Sequence, residues 1–365
     1  MLEKGRITYK QLILLIALSR IIITITFLPA LAEPPANQDI WLSELLYFPL
    51  QLLFALPIYF LWKRFPDQTI IQYCQSIGGK LGKLSGILIL WYFLDQAAIT
   101  IAQFSLFLTS AVMPETPVLF FTLSFVLVCA YATGRGLEVI GRLSELFAPL
   151  VMIATITVFL LLAKDMNLKM LRPVLENGIL PITQGSLIYS ARSLEILGFS
   201  MLLPYLNNPQ KAKSVIVLSF ALVTLFFTLI TVPVLTIWGF EEAKGLTFPF
   251  YSVIRLISIG DFIERNQSIH MAIWILGTFI KVTFKYYLVV LSLGQLLHLK
   301  EYRPLILPTG TILIPLSLLV GPNLTTLAAF TSYKTFAWYS SFFILVIPSL
   351  LLFTAIIRKK GVQSP

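Results

Sequence analysis

Residues 181–206 read PITQGSLIYSARSLEILGFSMLLPYL, an apolar run long enough to cross a membrane that carries Arg192 and Glu195 near its middle,. An ionisable side chain at the bilayer centre costs about 2.5–3.5 kcal/mol even on lenient insertion scales, so each such residue needs a partner, a water-filled cavity or a function. Gly185 and Gly198 bracket Ser190, Arg192, Ser193 and Glu195, and Pro204 follows. Glycine and proline loosen a helix, so the stretch predicts a helix interrupted at its centre, with freed backbone groups turned toward a small zwitterionic or polar ligand. The alternative is a continuous helix in which Arg192 and Glu195, three residues apart, share a face and pair.

The rest of the chain has the same character. Of its 365 residues 57% are hydrophobic and only 12% charged, about half the charge of a soluble domain. That balance cannot cover a water-facing surface, so the chain reads as a single transmembrane domain, 1–365. Ten candidate spans fall at 8–30, 41–62, 82–111, 117–134, 142–163, 181–205, 214–239, 267–298, 305–321 and 335–357,. Stop signals punctuate them: Pro29 with Pro34 and Pro35, Lys63-Arg64-Phe65-Pro66, Gly78-Gly79, Pro114 with Pro117, Gly134, and Asn207-Asn208-Pro209,. The N-terminal MLEKGRITYKQLILLIAL has the look of a signal peptide, but the run continues to Pro29 without a small-x-small cleavage site, so it is expected to stay as span one,.

The formal charge of +10 is spread through short connections and tails and forms no basic stripe of the kind that binds nucleic acid,. Placing both termini in the cytoplasm puts sixteen Lys and Arg on that side and seven on the other, with Arg20, Arg192, Lys281 and Lys285 inside spans, as the positive-inside rule requires. The two long outer connections, 164–180 and 240–266, are candidates for function or for interfacial packing; the second carries the apolar Phe248, Phe250, Tyr251, Ile254, Leu256 and Ile257,.

Other expensive polar residues lie in spans one, three and eight. Arg20 is followed by Thr24 and Thr26. Asp95, Gln96, Thr100 and Gln103 are spaced to share one side of span three,. Arg20 either pairs with a buried carboxylate, Asp95 being the obvious candidate, or faces a ligand. Lys281 and Lys285 stand one turn apart in span eight and are expected either to approach different carboxylates, with Asp95 the expected partner of Lys281, or to have the pKa of one of them depressed,. No dinucleotide or phosphate loop and no nucleophile–His–acid array occurs, His270 and His298 stand near span ends, and Cys74 and Cys129 suit neither a disulfide scaffold nor a metal site,. No catalytic residue, metal or cofactor is expected.

Four stretches carry a resemblance: ITYKQLILLIAL near the N-terminus, LRPVLENGILPI in the first outer connection, YSARSLEILGFSMLLPYL in span six and GDFIERNQSIHMAIWILGTFIK entering span eight. Together they resemble the B subunit of the endospore nutrient germinant receptor, a permease-like family of the amino acid, polyamine and organocation superfamily. The resemblance implies an all-α membrane protein of ten transmembrane helices with a leucine-transporter-like 5+5 inverted repeat, 8–163 and 181–357, and broken helices one and six. Span one departs from the family in reading SRIIITITFLP, with no glycine between Gly5 and Gly78. Carried onto this chain, the resemblance implies a ligand site drawn from Arg20, Thr24, Asp95, Gln96, Ser190, Arg192, Glu195 and Gly198, with Lys281 and Lys285 as coupling or buried-charge residues. It further implies a germinant-sensing subunit of the spore inner membrane that binds a small polar nutrient such as an amino acid, alongside an A subunit and a lipoprotein C subunit. The competing reading is a sodium-independent, proton-coupled transporter of an amino acid or amine acting alone in the cell membrane.

Overall fold

The computed structural model describes residues 2–27, 37–257 and 266–361. The stop signals at Pro29, Pro34 and Pro35 and the 258–265 part of the second outer connection, Arg265 included, lie outside the described residues.

Fourteen α-helices make up the described fold: α1 Tyr9–Phe27, α2 Ile40–Arg64, α3 Ile70–Phe107, α4 Val118–Gly134, α5 Leu137–Leu162, α6 Leu180–Ala191, α7 Glu195–Leu202, α8 Ala212–Ala243, α9 Pro249–Ile254, α10 Asn266–Leu296, α11 Ile306–Val320, α12 Leu324–Phe330, α13 Trp338–Ser341 and α14 Ile347–Ile357. Nine helical segments among the described residues are long and apolar enough to cross a membrane. The segment expected at 117–134 is helical as well, over Val118–Gly134, and at 17 residues is shorter than those nine.

Apolar side chains cover the outside of the bundle: Trp338 is 78% exposed and Leu319 76%. Such exposure is sustainable in lipid, where no water opposes it. The centre is formed by α1, the α6–α7 pair and α10, whose apolar windows are 72%, 83% and 78% buried, against 22% for α5. Helix α10 packs on α3, α1 and α5, and α2 lies against α6 and α8.

Three local features shape the centre. Helix six is interrupted: α6 ends at Ala191, α7 begins at Glu195, and Arg192 has non-helical φ −93° and ψ 11°. Neither bracketing glycine lies in the break. Both serve close packing instead, since a Cβ on Gly185 would lie 2.8 Å from Ser43 Oγ and one on Gly198 2.8 Å from Phe284 Cζ.

Helix one, expected to be broken, runs without interruption from Tyr9 to Phe27. Its β-branched Ile and Thr residues offer none of the backbone freedom of glycine. Before span three, the Gly78-Gly79 signal marks a turn between two helical pieces: Gly79 has φ +58°, and residues 70–78 form a further helix where a loop was expected.

Candidate functional site

The interruption leaves the Tyr189 and Ser190 carbonyls with short-range backbone donors, Arg192 N and Ser193 N at 3.3 Å each, and neighbouring helices add a bond to both. Gln51 Nε2 donates to Ser190 O at 3.0 Å, and Arg20 Nη2 donates to Tyr189 O at 2.9 Å. Tyr47 Oη and Ser193 Oγ lie 3.1 Å apart, and Arg20 Nε donates to Tyr47 Oη at 3.3 Å. The Arg20 guanidinium also stacks over Phe227, 5.1 Å from its centroid, which offsets part of the cost of burying a cation. A break bound on two sides by side chains holds one geometry.

Beside it lies a cavity of about 80 Å³, room for several water-sized groups. Its polar wall is Arg20, Arg192, Glu195, Lys281 and Lys285, with Gln96, Thr100 and Gln103 from α3. Glu195 accepts a 2.8 Å bond from Ser19 Oγ and has Lys281 Nζ at 3.9 Å. Lys281 Nζ donates to Ser19 O at 2.5 Å, so the ammonium is fixed where α1 and α10 meet. Lys285 Nζ turns toward α3, donating to Gln96 O at 2.9 Å and Thr100 Oγ1 at 2.7 Å. Arg192 Nη2 donates to Thr331 O, and its guanidinium lies 5.8 Å from the centroid of Phe336.

Several expected partnerships take another form. Lys281 meets Glu195, not Asp95; Asp95 lies against Tyr339 and feels the charge of Lys285. Arg20 binds Tyr47 and a backbone carbonyl where Asp95 had been expected. The ion pair of Glu195 is with Lys281, because the break carries Arg192 away to the Thr331 carbonyl. Thr24, Asp95, Ser190 and Gly198 are buried close by but do not line the cavity. Arg20, Gln96, Arg192, Glu195, Lys281 and Lys285 are brought together around it.

Helix α2 supplies a polar face absent from the expectations. Glu44, Tyr47 and Gln51 are 0% exposed and point at helix six and α8. Glu44 Oε1 accepts bonds from Thr231 Oγ1 at 2.5 Å and Tyr189 Oη at 3.2 Å, while its Oε2 is buried and has no hydrogen-bond partner among the described residues. The i, i+3, i+7 spacing of these three residues was the signal available in the sequence. Ser19 carried none, being an ordinary small residue in an apolar helix; Thr331 and Phe336 reach the cavity only through packing.

Comparison with known proteins agrees with this architecture. The chain is 25% identical over 327 residues to spore germination protein KB of Bacillus subtilis (strain 168), covering 88% of this chain and 87% of that protein. It is 25% identical over 370 residues to spore germination protein B2 of the same organism, covering 98% and 97%. Among solved structures, the nucleobase-cation-symport-1 family transporter Mhp1, closed with bromovinylhydantoin bound, matches with TM-score 0.66 at 12% identity, over 98% of this chain and 81% of that one. MhsT in complex with L-phenylalanine matches with TM-score 0.66 at 13% identity, over 97% and 90%. The fold is thus the leucine-transporter-like architecture of multi-spanning membrane transporters, with a discontinuous helix six. The spore germination protein family profile matches residues 6–325, and the chain belongs to that family of membrane permeases.

Proposed function

We propose that this chain is a sodium-independent, proton-coupled permease that takes a small polar solute of the amino acid class into the cavity beside the break in helix six. The observation that carries the reading is Lys281, whose ammonium sits on Ser19 O between α1 and α10. A carrier of this fold can hold a coupling cation between its first and eighth spans, and here a fixed ammonium stands in that place. Neither α1 nor α10 contains an Asp or Glu to ligate sodium,. Glu44, set between two hydroxyls, and the Glu195–Lys281 pair are the groups suited to take up a proton in transit,.

The reading takes ten spans, counting α4 as a crossing, since about 17 residues suffice. An even count puts both termini on one side, which the distribution of Lys and Arg makes the cytoplasmic one,, and the chain divides into five-helix repeats at 8–163 and 181–357. A second reading is favoured by the relatives, which are named spore germination proteins. In it the same cavity senses a nutrient in the spore inner membrane, next to an A subunit and a lipoprotein C subunit, without net transport.

The test of the sodium claim is binding of radiolabelled L-alanine and L-aspartate to purified protein in choline and in sodium buffers, from mildly acidic to mildly alkaline pH. Equal binding in both salts, with a pH dependence that Lys281→Met abolishes, is expected. A sodium requirement, or an unchanged pH profile in a well-folded Lys281→Met protein, contradicts the reading.

A further inference from the structure

We propose a second ligand site, at the end of the bundle where α3 begins and α10 ends, that takes a phosphate group carried by a small metabolite or by a lipid. It is a pocket of about 580 Å³ whose polar wall is Gln68, Gln72, Gln75, Gln295, His298 and Lys300. That volume falls inside the range of about 300–1,000 Å³ usual for small-molecule sites. The pocket shares no lining residue with the cavity of about 80 Å³ beside helix six. Gln295 stands ten residues beyond Lys285 on α10, about 15 Å further along the helix axis. The two are separate places.

The wall is built by local structure. Thr69 caps α3, Gln72 and Gln75 follow on its first two turns, and α10 is ended by His298, which takes the left-handed φ of +53° common after a helix terminus,. Thr69 ties the two helices together: its Oγ1 donates to Gln295 Oε1 at 2.6 Å, and its backbone N to Gln72 Oε1 at 2.9 Å. Ser76 Oγ donates to Gln68 Oε1 at 3.1 Å. Three glutamine oxygens are thereby used inside the protein. A side-chain amide has one acceptor oxygen and two N–H donors, so Gln68 and Gln72 keep donors; the amide of Gln295 has the Tyr205 hydroxyl beside it. Gln75 Nε2 is buried with no hydrogen-bond partner among the described residues. Lys300 is exposed and adds three donors and no acceptor,. Among the described residues the wall contains no Asp or Glu.

A wall whose uncommitted groups are mainly donors is complemented by a ligand rich in acceptors. A phosphate ester presents three strong acceptor oxygens pointing in different directions and a negative charge for the ammonium. Hydrogen bonds to such a charged oxygen are about twice as strong as neutral ones. Donors spread over two helices are better reached by a tetrahedral group than by a planar carboxylate. The pocket also leaves room for the organic part to which the phosphate is joined. A soluble phosphate ester and a lipid headgroup offer the same oxygens, and either one bound here would bridge α3 to α10, the helix that carries Lys281 and Lys285.

Purified full-length protein in detergent is titrated at fixed ionic strength with glycerol 3-phosphate and with glycerol. In a parallel arm, protein mixed with equal amounts of phosphatidylglycerol and diacylglycerol is analysed by native mass spectrometry for the lipid it retains. If the source is soluble, glycerol 3-phosphate binds and glycerol does not. If the source is the membrane, phosphatidylglycerol is retained in preference to diacylglycerol while glycerol 3-phosphate binds weakly. In either case Lys300→Gln is expected to weaken the phosphate ligand about tenfold, as loss of a charge-assisted bond predicts. Gln75→Leu should weaken it several-fold, and Lys300→Arg, which keeps the charge, should retain most of the affinity. Lys300 is exposed, so an unchanged melting temperature of ligand-free Lys300→Gln separates lost binding from lost fold. Glycerol binding as tightly as glycerol 3-phosphate, wild-type affinity in the Gln75→Leu/Lys300→Gln double variant, or retention of neither phosphate probe overturns the proposal.

Discussion

Breaking the buried pair between Glu195 and Lys281 one member at a time, and then both together, probes the centre of the fold. The two groups are 3.9 Å apart with side chains 1% and 7% exposed. At about that distance, two unit charges attract by about 4 kcal/mol in an effective dielectric of about 20. Removing one partner leaves the other stranded, at a cost of about 3–5 kcal/mol, whereas replacing both with neutral groups of similar size is often close to neutral. The two single variants are not equivalent. Lys281→Met leaves Glu195 with Lys285 one turn further along α10, whereas Glu195→Gln leaves two ammonium groups repelling each other, so Glu195→Gln is the more damaging. The assay is reversible unfolding of purified protein in detergent, followed by tryptophan fluorescence, for both single variants and the double variant. The expected coupling energy is about 2–3 kcal/mol, with the double variant more stable than Glu195→Gln alone. Additivity to within about 0.5 kcal/mol refutes the pairing.

Gly82→Ala is expected to destabilise the protein by about 1–3 kcal/mol or more and to lower its abundance in the membrane, because the new Cβ would lie 1.8 Å from the Cys74 carbonyl oxygen; an unchanged melting temperature would contradict the turn at Gly79. Gln51→Met removes the side-chain donor to Ser190 O, which keeps Ser193 N, and should cost about 0.5–1.5 kcal/mol through the lost bond, so unaltered stability would mean that the break does not depend on α2. In a background lacking Cys74 and Cys129, Lys169→Cys should react with an impermeant thiol reagent on intact cells, and Lys359→Cys only after lysis. Both positions are exposed, and labelling of Lys359→Cys alone would reverse the proposed orientation.

The spans and the charged cluster were legible for one reason. In a bilayer every polar side chain is expensive, so Arg20, Arg192, Glu195, Lys281 and Lys285 stand out against any apolar background. Their partners were not legible, because the rotation of a helix about its axis is fixed by packing against distant segments. Asp95 and Lys281 looked suited to each other by depth, yet α10 turns Lys281 toward α1 and α7 and leaves Lys285 for α3. The break in helix six was foreseen from its glycines, but it falls at Arg192 to Leu194, where α1 and α2 supply bonding partners, while Gly185 and Gly198 take the tight helix contacts. Glu44 lay at the start of span two, where a carboxylate is ordinary at a membrane interface, and only the neighbouring helices make it fully buried.

The measurement that bears most directly on the permease reading is solute flux into proteoliposomes containing only this chain, with radiolabelled L-alanine, L-aspartate and putrescine as probes. Saturable uptake of at least one probe, equal in choline and sodium, raised by an inward proton gradient and lost in Ile99→Trp, which fills the cavity that Ile99 lines, is the predicted result. A sodium requirement, or no uptake of any probe by folded protein that binds one of them in the same membrane, would contradict it.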